Sequence, residues 1–381
     1  MAQAIKSSHI FDYVIYGSNL TAQMIATFLS LENKNVLFIE RPLSLGSYFQ
    51  HPHEQTEDRP YLDPSLSYVP KNEDSEKCLA WLESILGEKI IAQDLQQTPV
   101  TFESGDFKPF LGFGDRHFHT MDPINQYVQQ DQLALLSTPL QWQEKFKSVY
   151  KGQTLLQSQI TSIEVEKAEL TSIMVNAQKK ISTKNLIFCA EPSELSLLLE
   201  KEGLTKKNKQ ILSKATVFSK LVLSFIHKEN SLEGLKVQKP LHVLMGIKND
   251  FEPCIGKFQN DSSTWMSYFE DEEIEGFEEV GSLLKSIKRQ IKRAYPNFFE
   301  TVEYEKISIQ SEASAYYNFE TKNSGQLDKL HNFWVFSPQF YNEFPTTGLI
   351  KATMAALEAF ELPLEQEIEL PDINSVPAAE A

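Results

Sequence analysis

The sequence predicts an α/β fold in which a Rossmann-like dinucleotide-binding domain is joined to a mixed α+β domain built on an antiparallel sheet. Three observations carry this. The stretch Phe11–Glu40 reads as strand, glycine turn, helix and strand within about thirty residues. Its second strand ends in Glu40, 23 positions after Gly17. Dinucleotide-binding folds place a ribose-binding carboxylate at roughly this offset, about 20 residues beyond the turn. From Leu155 onward the pattern changes to short strands separated by turn residues, as in an antiparallel sheet.

The elements follow in order. Tyr13-Val14-Ile15-Tyr16 is a short apolar run suited to a strand buried on both faces. Gly17-Ser18-Asn19-Leu20-Thr21-Ala22 is the turn, and Ile25, Ala26 and Leu29 then recur at helical spacing up to Leu31. Val36–Ile39 is the second strand. The pattern G-x-G-x-x-G/A is met at Gly17 and Ala22, but its middle glycine is Asn19. That glycine lets backbone approach a pyrophosphate, so the Asn19 side chain is expected to stand in the phosphate's path. A helix is predicted over 76–86, stopped by Gly87, and extended pieces over 100–102 and 109–113. Residues 121–136 read as helical, and 142–150 as a short helix or loop. Strands are predicted over 160–165, 170–175 and 186–190, with a helix opened by Pro192 and running to Leu199. Residues 216–228, 241–247, 254–258 and 265–269 alternate like half-buried strands. A long helix over 280–295, strands over 302–308 and 333–336, and a helix from Thr346 or Thr347 to Phe360 complete the order.

Composition narrows the function classes. At 381 residues the chain has room for two or three domains, and 41% hydrophobic with 23% charged residues is ordinary for a globular protein. A net charge of −16 excludes a sequence-independent grip on nucleic acid. Basic residues cluster at Lys206-Lys207 with Lys209 and at Lys285–Arg293, and the second cluster reads as a solvated helix face. No run of 18 apolar residues occurs, so no transmembrane segment is predicted. Cys78, Cys189 and Cys254 show no C-x-x-C spacing, and with no apolar leader at the N-terminus a cytoplasmic location is expected. His51 and His53 near Glu54, and His117 with His119, lack a third ligand at a recognised spacing, so no metal site is predicted. Fifteen glycines, about 4% against a usual share near 7%, are few for a fold that wraps backbone around a dinucleotide.

These motifs together resemble the FAD-dependent oxidoreductase superfamily, in the branch of amine oxidases, phytoene desaturases and Rab GDP-dissociation inhibitors. The likeness spans roughly residues 10–362. It rests on FDYVIYGSNLTA, NVLFIERPLSLGS, the strand beginning near Leu155, KNLIFCAEPSELSLLL, AYPNFFE and PTTGLIKATMAALEAF. The resemblance implies that Gly17, Ser18, Asn19 and Ala22 face the pyrophosphate and that Glu40 and Arg41 take the ribose end. It further implies that Gly46 lies in the following loop, Ile160 neighbours the adenine and Gly348 lies at the flavin end. The family's glycine–acid pair after the last strand reads Ser337-Pro338 here, and Gly46-Ser47 keeps one of two glycines. With Asn19 these departures imply a weakened FAD site. NAD(P) is the lesser expectation.

The implied division is a discontinuous dinucleotide-binding domain over 10–75, 151–215 and 330–362. A substrate or cap domain would span 76–150 and 216–329, with a disordered acidic tail over 363–381. Two functional readings stay open. One is a flavin-dependent oxidoreductase taking an apolar or amine small-molecule substrate, its substrate face lined by aromatics of Phe218–Phe225, Trp265–Phe269, Tyr316-Tyr317 and Phe340-Tyr341. For each of these, ordinary core packing is the simpler account. The other reading is a non-catalytic binding or escort protein that has lost the flavin and engages a protein partner. No catalytic residue is assigned.

Overall fold

The computed structural model describes residues 10–41, 68–95, 98–118, 120–135, 139–199, 203–214, 216–235, 237, 239–245, 253–259, 261–270, 277–316, 325–341 and 345–360. Gly46, His51, His53, His119, Tyr317 and the 363–381 tail lie outside them. Five parallel strands form one sheet, in the order Phe333–Val335, Leu186–Phe188, Tyr13–Tyr16, Val36–Ile39, Gln153–Leu155. Each is three or four residues long; four are apolar, as parallel strands covered on both faces must be, and the edge strand Gln153–Leu155 is mixed and half-buried. The first strand lies in the middle, and the order reverses between it and Leu186–Phe188. A doubly wound sheet opens its ligand crevice at such a switch point, beyond the carboxyl ends of the strands.

The first helix, Leu20–Leu31, is buried along nearly its whole length. Ala22, Ile25, Ala26 and Leu29 pack on the sheet through Ile15, Val36 and Phe38, together with Ala352 and Ala356 of the last helix, Pro345–Ala359. On another side, Leu20, Met24 and Phe28 meet Trp81 and Leu82 of the helix Glu73–Leu86. Gly87 closes that helix in the left-handed conformation (φ +65°), as the sequence predicts. A second layer, Ile10–Phe11 with the strands 160–166, 169–175 and 179–183, closes the opposite face of the parallel sheet through Ile160, Leu170, Ile173 and Ile181.

The large sheet has seven strands, ordered 302–316, 216–227, 262–270, 254–259, 241–244, 100–103, 106–109. One face, with Leu223, Phe225, Phe258 and Trp265, packs under the long helix Phe277–Ala294 through Leu283, Ile287 and Ile291. The other carries Phe218, Val222, Val243 and Met266 against Phe110, Phe113, Ile124 and Tyr127.

Two expectations are corrected. Residues 121–136 are not one helix: Met121–Gln129 is helical, but Gln132–Leu135 is a strand between Tyr68–Pro70 and Ile91–Leu95. Partner strands distant in sequence override a helical pattern there. The piece expected over 109–113 lies earlier, as the strand Asp106–Pro109. Lys179–Thr183, which falls between the strands expected over 170–175 and 186–190, is itself a strand, paired antiparallel with Glu169–Val175 and parallel with Ile10–Phe11.

Candidate functional site

Five strand ends converge at the switch point. Gly17 leaves the first strand with φ +142°, and a Cβ there would lie 2.7 Å from the Cys189 carbonyl carbon. Glycine is therefore demanded by the approach of the neighbouring strand. Asn19 is the N-cap of the first helix, with Oδ1 accepting from the Ala22 amide at 2.9 Å. Its Nδ2 donates to the Cys189 carbonyl at 2.6 Å, and the side chain is 5% exposed. It is thus folded back onto the fourth strand, and what it takes from an anion is one amide. The amides of Leu20 and Thr21 have no acceptor among the described residues, and both point from a helix N-terminus.

The second strand delivers Glu40 fully buried. Its backbone amide donates to the Leu155 carbonyl at 2.9 Å, and its carbonyl accepts from Ser158 at 3.0 Å. The chain at 158–160 therefore lies against the acid, and Ile160, 5% exposed, belongs to the cluster that includes Tyr16 and Ile39. From the fifth strand Ser337 is buried and donates from Oγ to the Ala190 carbonyl at 2.6 Å. Where the resembling family has a glycine–acid pair, this chain ties two strand ends together. The last helix reaches the same strand end: a Cβ on Gly348 would lie 2.7 Å from the Pro338 carbonyl oxygen, so glycine serves this packing. Thr21 Oγ1 lies 3.0 Å from Thr353 Oγ1, joining the first and last helices.

A polar cluster that the sequence analysis does not anticipate lies beside this turn. Glu194, in the first turn of the helix Pro192–Leu198, accepts from the Tyr16 hydroxyl and pairs with Arg41 Nη2 at 2.6 Å. Burial, with Glu191 alongside, raises the Glu194 carboxyl to about 8, outweighing the opposing pull of Tyr16 and Arg41. Burial and the same carboxylate push the Tyr16 phenol upward. An acid two residues after a proline that opens a helix, just past a buried strand, was the available signal.

Of the anticipated residues, Gly17, Ser18, Asn19, Glu40 and Arg41 meet at the strand ends, with Ile160 and Gly348 at its borders. Ala22 packs inward, onto the sheet. The aromatics offered for a substrate face are core residues: Phe225, Trp265 and Phe269 under the long helix, Phe218 and Tyr268 on the other face. Phe340 and Tyr341 are half-buried against the parallel-sheet clusters. Cys78, Cys189 and Cys254 are buried free thiols, and burial raises all three. Among the described residues no three His, Cys, Asp or Glu side chains gather as a metal site, and no helix is long and apolar enough to cross a membrane.

Comparison with solved structures places the fold. Wild-type putrescine oxidase bound to putrescine superposes with a TM-score of 0.62 at 11% identity, over 93% of this chain and 99% of that one. A putative protoporphyrinogen oxidase from Exiguobacterium sp. 255-15 gives 0.61 at 11% identity, over 92% and 98%. L-Proline dehydrogenase from P. horikoshii gives 0.57 at 10%, over 95% and 96%. No family model matches the sequence, and no curated protein does. The fold is the one these oxidoreductases share, and the resemblance read from the sequence motifs is borne out at the level of the fold.

Proposed function

We propose that the protein is a FAD-dependent oxidoreductase of the amine oxidase kind, holding its dinucleotide at the switch point of the parallel sheet. The observation that carries this is the convergence of a helix N-terminus with two uncommitted amides, a buried acid and an arginine at one strand edge. The amides of Leu20 and Thr21 would face the pyrophosphate, Glu40 the ribose, and Ile160 the adenine. Arg41 would remain on Glu194 or turn to a phosphate. Bound flavin would supply the electron acceptor, while the protein orients the substrate and excludes water. The names glycine oxidase, putrescine oxidase and L-proline dehydrogenase among the structural neighbours favour a small amine substrate. The parallel sheet with its side sheet would form the dinucleotide domain, and the large sheet the substrate domain.

Asn19 sets the strength of the site. Its Oδ1 holds the Ala22 amide, so a dinucleotide meets one donor fewer at the helix. A lost charge-assisted contact costs about 1.5–3 kcal/mol, or about tenfold to a hundredfold in affinity. The test is direct. Purified protein should take up FAD, show flavin absorbance and release FAD on denaturation, and Asn19→Gly should bind FAD more tightly. Colourless protein that takes up no added FAD, in both the natural chain and Asn19→Gly, would overturn the proposal.

A further inference from the structure

A second polar site lies at the edge of the large sheet farthest from the strand Val302–Tyr316, away from the switch point. There a cavity of about 540 Å³ opens beside the tip of the 100–109 hairpin. That size falls within the roughly 300–1,000 Å³ of small-molecule sites. The hairpin tip is a two-residue turn with Ser104 at φ +54° and Gly105 at φ +88°. Both are left-handed, as the tight turns matching strand twist require, so this wall is a defined element.

Two arginines line the cavity from separate parts of the chain. Arg293, in the last turn of the long helix, donates from Nη2 to the Met245 carbonyl at 2.8 Å, which fixes its fork at the end of a neighbouring strand. Among the described residues no carboxylate pairs with it. A half-buried cation with no ion-pair partner among the described residues stands out in a chain of net charge −16. Arg116, from the loop after the hairpin, lines the same space, as do Phe102 and Met245. Arginine beside an aromatic ring and a thioether matches a planar or tetrahedral anion carrying an apolar body. Glu103, also lining the cavity, opposes such an anion and so limits its affinity.

We propose that this cavity binds a small organic anion, a carboxylate or a phosphate monoester with an apolar body. The inference does not rest on the flavin reading. Benzoate and phenyl phosphate share one body and differ in the anionic group, so titrating each into the full chain by calorimetry distinguishes the two chemistries. At least one should bind saturably at one site per chain. Arg293→Gln and Arg116→Gln should each weaken that binding at least tenfold. Arg293→Lys, which keeps the charge and loses the fork, should recover part of it. Glu103→Gln should strengthen binding about threefold or more, and it decides the matter if an arginine variant does not fold. Failure of both probes to saturate the natural chain overturns the proposal. So does unchanged affinity in Glu103→Gln and in whichever arginine variants fold.

Discussion

The parallel sheet and the large antiparallel sheet treat buried polar groups in opposite ways. The parallel strands are three or four residues long and end together, so polar groups collect just past their ends: Asn19, Glu40, Glu194 and Ser337. Strands of the large sheet run to 12 and 15 residues, and polar side chains are caught within the layers. His242 lies fully buried among Phe107, Phe258, Trp265 and Tyr295, with Nε2 2.7 Å from the Tyr295 hydroxyl. His227 is held between Thr301 Oγ1 at 2.9 Å and Ser263 Oγ at 2.8 Å. Short parallel strands leave backbone and acid at an edge that a ligand can reach. Long antiparallel ones seal their polar groups into the core.

The sharpest way to break that contrast is at two glycines. Gly17→Ala sets a Cβ against the Cys189 backbone at a positive φ, so both strain and overlap apply, and about 4 kcal/mol of stability should be lost. Gly256→Ala meets the Trp265 ring instead, at 2.1 Å. A side chain yields more readily than a strand, so a loss of about 2 kcal/mol is expected. Chemical denaturation of both variants checks the order.

Proton linkage separates the two regions next. Burial lowers His242 from its ordinary 6.5 to about 3, and His227 to about 4. Below pH 6.5 the unfolded chain takes up protons that the folded chain refuses. Stability is therefore full above that pH and falls as the solution is acidified, by about 2 kcal/mol per histidine at pH 4.5. His227→Gln should flatten the acid limb of a stability–pH profile. Glu194 has the reverse sign: its folded value lies above the ordinary 4.5, so its contribution is lost as pH rises toward 8. Glu194→Gln should remove that alkaline slope and leave the acid limb unchanged.

Asn19→Ala deletes one helix cap and one buried hydrogen bond, at a cost of about 2 kcal/mol. It should nonetheless bind FAD more tightly, since the Ala22 amide is released. A stability loss without a gain in affinity would show that the cap does not compete with the cofactor. The smallest effect is expected at Thr353→Val, about 1 kcal/mol in a thermal melt, because Thr21 keeps the Leu349 carbonyl at 3.2 Å.

Much of the fold was readable in advance because it depends on local pattern. Tyr13–Tyr16, Val36–Ile39 and Leu186–Phe188 are apolar runs that have one use, and Gly87 and Pro192 mark a helix end and a helix start on their own chemistry. What escaped depends on distant partners. Gln132–Leu135 is a strand only because Tyr68–Pro70 and Ile91–Leu95 flank it, and Lys179–Thr183, a local partner of Glu169–Val175, takes its second, parallel partner from the distant Ile10–Phe11. The second partner of the Asn19 side chain, the Cys189 carbonyl, lies 170 residues away. Glu194 escaped for the same reason: Tyr16 and Arg41 reach it from two other strand ends.

The sequence alone determined that a glycine turn joins a strand to a helix and that an acid closes the next strand, because backbone freedom and apolar periodicity act over a few residues. Tertiary structure decided which amides that helix leaves open, how Glu194 is charged, and that two arginines 177 positions apart share one cavity. Those outcomes are set by burial and by distances between segments remote in the chain, and no local pattern records them.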